Sequence, residues 1–83
     1  MIDPIDARLL DGIRDIARQH LNITDPIEPD TDMVLALRLD SLRLLTLVAE
    51  LENRYQIILQ EGDENDLATI GDLIRLLRLR GAE

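Results

Sequence analysis

Leu39-Asp40-Ser41-Leu42, with the residues running on from it to about Tyr55, decides how this chain folds. From Ser41 onward the apolar residues are Leu42, Leu44, Leu45, Leu47, Val48, Ala49, Leu51 and Tyr55. At about 100° per residue they cover one wide helical arc. Arg43, Thr46, Glu50, Asn53 and Arg54 fill the polar sector. Asp40 is a good N-cap, so a helix begins at or beside Ser41. The Ser41 hydroxyl then sits at the positive end of a helix dipole, among N–H groups with no intrahelical partner. That setting suits a phosphate. The arc is wider than one core face requires. Leu44, Leu47, Val48 and Leu51 are expected to face inward, with Leu42, Leu45 and Ala49 at the exposed edge.

Upstream, Asp3-Pro4-Ile5-Asp6 is a helix start, with Asp3 as N-cap and Pro4 at the first helical position. Ile5, Leu9, Ile13, Ile16 and Ala17 recur at helical spacing to about residue 20. His20, near the end of that helix, is expected to be a cation close to the terminal carbonyls or a solvated residue. From Leu21 to Asp40 no periodicity is sustained, and Pro26 and Pro29 interrupt the run. So long a connection is uncommon without a function. Ile23, Ile27, Val34, Leu35 and Leu37 are expected to pin it to the core, with a helical turn somewhere in Thr31 to Leu37.

Downstream, Ile57 and Leu59 should point inward ahead of an acidic segment from Gln60 to Asp66. That segment lacks the glycine turn and the distant bidentate Glu at the spacing a calcium loop requires, so no dedicated metal site is expected. Thr69-Ile70-Gly71-Asp72 opens a last helix through a reciprocal cap between Thr69 and Asp72. Ile70, Leu73, Ile74 and Leu77 form its buried stripe, Leu76 lies at the edge, and Gly81 ends it.

Composition narrows the function. Eighty-three residues make one domain spanning 1–83, and with neither Phe nor Trp its core must be aliphatic. Such a core is marginal, so packing should be plastic. A net charge of −8 disfavours nucleic acid and anionic membranes and favours basic patches on partner proteins. Without Cys there is no disulfide or thiolate nucleophile, so any thiol chemistry requires an added group. Neither a signal segment nor a transmembrane run is visible, which makes a cytoplasmic protein the expectation. Ser41 is the only serine and His20 the only histidine. Nothing joins them into a catalytic set, and the four glycines are scattered rather than gathered into a phosphate loop.

The tripeptide Asp40-Ser41-Leu42 alone would occur by chance in about 3% of chains this long. Its place raises it: mid-chain, after a long loop, at the head of an amphipathic helix, in a small acidic chain. In this the sequence resembles the acyl carrier proteins, from about Ile5 to Leu77. The resemblance implies an all-α bundle of three main helices plus one short helix near Asp63 to Leu67, with a long loop between the first two main helices. It implies a 4'-phosphopantetheine arm on Ser41, with Asp40 and Leu42 as flanks read by a phosphopantetheinyl transferase. The arm's thiol would hold an acyl or aminoacyl group, supplied by a loading ligase or transferase and passed to downstream biosynthetic enzymes. The chain would be a carrier, not an enzyme, and a monomer.

Two departures from the fatty-acid carriers stand out. The glycine common just before Asp-Ser-Leu is missing from Ala36-Leu37-Arg38-Leu39. Arg43 and Thr46 replace typically acidic positions, although Glu50 and Glu52 remain. Partner contact is expected at Leu42, Arg43, Leu45, Thr46, Ala49, Glu50 and Glu52, with Arg43 repelling fatty-acid enzymes. That points to a specialised pathway, whether polyketide, nonribosomal peptide, unusual lipid or D-alanylation. A small helical adaptor without a prosthetic group is the alternative, and modification of Ser41 separates the two.

Overall fold

The structure, a computed structural model, describes residues 3–60 and 62–82. Its elements are α1 (Pro4–His20), α2 (Met33–Leu37), α3 (Ser41–Tyr55), a 3-10 turn (Asp63–Asp66) and α4 (Ile70–Leu79). The chain is all-α, as expected, with no strand among the described residues. The caps that punctuate the sequence all form. Asp3 Oδ1 accepts the Ile5 N–H at 2.8 Å. Thr69 Oγ1 accepts the Asp72 N–H at 3.2 Å while Asp72 Oδ2 accepts the Thr69 N–H at 3.0 Å. Two donors of the first turn of α4 are thereby satisfied reciprocally.

The helical stripes meet in one aliphatic core. Leu9, Ile13, Ile16 and Ala17 of α1 pack with Leu47 and Leu51 of α3 and Ile70, Leu73, Ile74 and Leu77 of α4. Ile57 is also buried, and Leu59 packs against the cluster from its edge. Gly12 is a close approach between α1 and α3, since a Cβ there would lie 1.8 Å from Tyr55 Oη. Further along α1 from that contact, Arg54 pairs with Asp15 at 3.2 Å and His20 Nε2 with Glu50 at 3.1 Å. His20 is exposed, in line with a solvated residue, and it also has a carboxylate partner on α3.

The long connection is held down as expected by Ile23, Ile27 and Leu37, which are buried. Val34 and Leu35 are not: they are 50% and 77% exposed. In a five-residue helix only one face meets the core, and Met33 and Leu37, four apart, occupy it. Polar tethers complete the attachment. Arg14 Nε donates to the Ile27 carbonyl at 2.9 Å. An antiparallel bridge joins Asp32 to Thr69, with Met33 N–H on the Ala68 carbonyl at 2.9 Å and Ile70 N–H on the Thr31 carbonyl at 3.0 Å. The loop before α2 is thus fastened to the mouth of α4 by main-chain hydrogen bonds.

A second tether holds the segment between α3 and α4. The Leu59 N–H donates to Glu52 Oε2 at 2.8 Å. Arg80 then grips Asp63 with two hydrogen bonds, at 2.8 and 3.0 Å. The Arg80 guanidinium, and then the Gln60 N–H, hold the Asp63 carboxyl below its ordinary value. A depressed carboxyl stabilises the fold above its unfolded value near 4, and that contribution is lost as pH falls through the folded value. Urea unfolding should therefore show wild type well ahead of Asp63→Asn at pH 7, with the gap closing below about pH 4. An equal gap at both pH values would contradict the pairing.

Candidate functional site

The site is built where α2 gives way to α3. Arg38 caps α2 in the left-handed conformation, with φ 52° and ψ 46°. This reverses the chain, and Leu39 turns back to pack against the core. Asp40 follows in extended conformation, and its Oδ1 accepts the Arg43 N–H at 2.8 Å. Its carbonyl accepts the Leu44 N–H at 2.8 Å. Ser41 is therefore the first residue of α3, and it is exposed. Among the described residues the Ser41 and Leu42 N–H groups have no protein acceptor. They are the free donors at the positive end of a fifteen-residue helix.

Beyond Ser41 the exposed surface of α3 is mainly apolar. Leu42 and Leu45 are 72% and 67% exposed, and Ala49 is exposed on the same helix. Thr46 turns its hydroxyl back onto the Leu42 carbonyl at 3.1 Å. Glu50 and Glu52 are both engaged inside the molecule, on His20 and on the Leu59 N–H.

Arg43 lies differently from the sequence-based expectation of an outward charge. Its guanidinium donates to the Leu21 carbonyl at 2.7 Å and to the Leu37 carbonyl at 3.1 and 3.2 Å. Leu21 is the C-cap of α1 and Leu37 the last residue of α2, so these carbonyls lie at the negative ends of two helices. The cation draws both helix ends onto the first turn of α3. Its charge is directed into the junction rather than across the face that holds Ser41.

Beneath the other side of α3 is an apolar cavity of about 210 Å³. Leu44, Leu45, Leu47, Val48 and Leu51 of α3 form its roof, and Met33 borders it from α2. Leu73 and Leu76 of α4 lie opposite, and Leu59, Gln60, Asp63 and Leu67 close the outer wall. Leu44 and Val48, expected to be inward, are half-buried because they line this space rather than the core. Among the described residues no group of three metal-ligating side chains comes together. No described helix is long and apolar enough to cross a membrane.

The structure is thus a short all-helical bundle with an exposed serine at the N-terminus of α3 and an apolar cavity beneath another face of that helix. The chain matches the family model for the phosphopantetheine attachment site over residues 11–77, and it belongs to that family. Among its relatives is the acyl carrier protein of Brachyspira hyodysenteriae, 34% identical over 71 residues, covering 83% of this chain and 91% of the relative. The acyl carrier protein of Sulfurovum sp. is 30% identical over 70 residues, covering 83% and 93%. That of Chlamydia trachomatis serovar D is 29% identical over 73 residues, covering 87% and 95%. No solved structure matches the chain. Family membership makes the chain a phosphopantetheine-bearing carrier rather than an enzyme.

Proposed function

We propose that Ser41 is the attachment point and that the chain, as one carrier unit, tethers acyl intermediates as thioesters. Ser41 is the only serine in the sequence, exposed on the first turn of α3. A hydroxyl there is open to an external phosphopantetheinyl transferase, and the free Ser41 and Leu42 N–H groups suit the phosphodiester formed. Once attached, the arm supplies the thiol that this cysteine-free chain lacks. Asp40 and Leu42 are the flanks such a transferase reads.

The observation that favours an acyl over an aminoacyl load is the cavity. Its walls are leucine, valine and methionine side chains, with Gln60 and Asp63 only at one edge. An alkyl chain entering it leaves water, which contributes about 0.8 kcal/mol per buried methylene. A charged amino group gains nothing there. The uncharged face formed by Leu42, Leu45, Thr46 and Ala49 supports partners that dock through apolar contact, and with that a specialised pathway. A monomer working in the cytoplasm with loading and downstream biosynthetic enzymes fits this reading.

The test is direct. Incubation with coenzyme A and a broad-specificity phosphopantetheinyl transferase should add one phosphopantetheine, visible as a shift in intact mass. Ser41→Ala should abolish the addition completely. Failure across several such transferases would favour the adaptor reading.

A further inference from the structure

We propose that Arg38 is a positioning residue for the arm, its guanidinium pairing with the phosphodiester carried by Ser41. This rests on the attachment proposed above. The starting observation is how the arginines are used. Arg14, Arg18, Arg54, Arg75, Arg78 and Arg80 pair with carboxylates. Arg43 is committed to carbonyls and Arg8 is also engaged. Among the described residues Arg38 is the arginine whose side chain has no partner, and it is exposed.

Its backbone makes that idleness notable. Arg38 has φ 52°, a conformation that favours glycine and strains any residue with a Cβ. Among the described residues, Asn22 and Gln56 are the other non-glycine residues with positive φ. Asparagine tolerates this region, and Gln56 offsets its strain by donating Nε2 to the Asn53 carbonyl at 2.6 Å. Arg38 has no such local hydrogen bond. A strained position is held by a long cation whose side chain has no hydrogen bond or ion pair among the described residues, which points to a role elsewhere.

In the working carrier the phosphodiester adds a new anion three residues from Arg38. Arg38 and Ser41 are three residues apart, so their Cα atoms are at most about 11 Å from one another. A guanidinium and a phosphodiester each extend from the backbone and together span such a gap. The need for a cation is electrostatic. The new anion forms beside the Asp40 carboxylate, on a chain that already carries −8. Asp40 is fixed on the Arg43 N–H and cannot turn away without uncapping α3. Arg43, the other cation close in sequence, is occupied by the Leu21 and Leu37 carbonyls. Arg38 is left to neutralise the phosphodiester through a charge-assisted hydrogen bond, which arginine makes well with phosphate oxygens.

The experiment compares unmodified and fully modified protein, with completeness established by intact mass, using nitrogen-labelled samples at low salt. On modification the Arg38 Nε–Hε signal should shift and its exchange with solvent should slow several-fold. Added salt should shrink both changes. In modified Arg38→Gly the phosphorus NMR line should narrow as the arm is released, and Arg38→Lys should restore part of the width. Arg38→Gly should also raise the melting temperature of the unmodified protein by relieving the φ strain. An Arg38 signal identical in modified and unmodified protein, with equal phosphorus linewidths in wild type and Arg38→Gly, would overturn the inference. A missing mass shift would instead remove the attachment on which it rests.

Discussion

Leu51→Asp should leave the chain unfolded at 25 °C, with the helical circular dichroism signal lost and no cooperative thermal transition. Leu51 is fully buried in the aliphatic core and also borders the cavity. Removing a core leucine costs about 2–5 kcal/mol through lost burial and the space left behind. The carboxylate adds several kcal/mol more, because a buried charge without a partner forfeits its hydration. A domain of this length has a total stability of roughly 4–12 kcal/mol, so the sum reaches the whole of it. Leu45→Asp is the control, since Leu45 is 67% exposed, and its melting temperature should stay close to that of wild type. A folded Leu51→Asp variant with an unchanged melting temperature would mean that α3 does not pack as described.

Arg43→Ala should lower stability by about 1–2 kcal/mol, toward the low end for hydrogen bonds to a charged donor because the site is only half-buried. For a domain of this size that corresponds to a melting temperature lower by roughly 5–15 °C. The loss comes from the Leu21 and Leu37 carbonyls, which lose a shared cation and must be hydrated at a crowded junction. Arg43→Lys should recover only part of it, because an ammonium lacks the fork that reaches both carbonyls together. An Arg43 acting only as a repelling surface charge would predict instead no loss of stability in Arg43→Ala. The thermal melt therefore distinguishes the two roles without any partner enzyme.

The helices and the serine were legible because their signals are local. Asp3, Asp40 and Thr69 announce helix starts by side-chain chemistry, and the leucine spacing of α3 and α4 fixes which faces are buried. The connection between α1 and α3 was legible only in part. Val34 and Leu35 are as apolar as Met33 and Leu37, and without a sustained period nothing in the sequence says which pair turns inward. Arg43 falls on the polar sector by periodicity. Its engagement depends on the Leu21 carbonyl, 22 residues earlier, which only the fold brings alongside. The same holds for Glu50 with His20 and for Glu52 with the Leu59 N–H. An acidic residue on a helix surface looks like a solvated charge until the third dimension supplies its partner. Arg38 is an intermediate case. The absence of glycine there was visible, but the left-handed backbone that makes the absence meaningful was not.

Gly12 has a mechanical consequence. With no side chain between them, the α1 backbone and the Tyr55 ring are already in contact, and α3 has no room to move toward α1. The Arg54–Asp15 and His20–Glu50 pairs continue that contact along the two helices. Along its opposite edge α3 faces the cavity, whose outer wall of Leu59, Gln60, Asp63 and Leu67 is suspended at Glu52 and at Arg80. The helix therefore has one stiff flank and one compliant flank. Any swelling of the cavity must be taken up by displacement of that wall, while the end of α3 that bears Ser41 stays fixed against α1 and α2. The bundle expands as a door does, from a hinge.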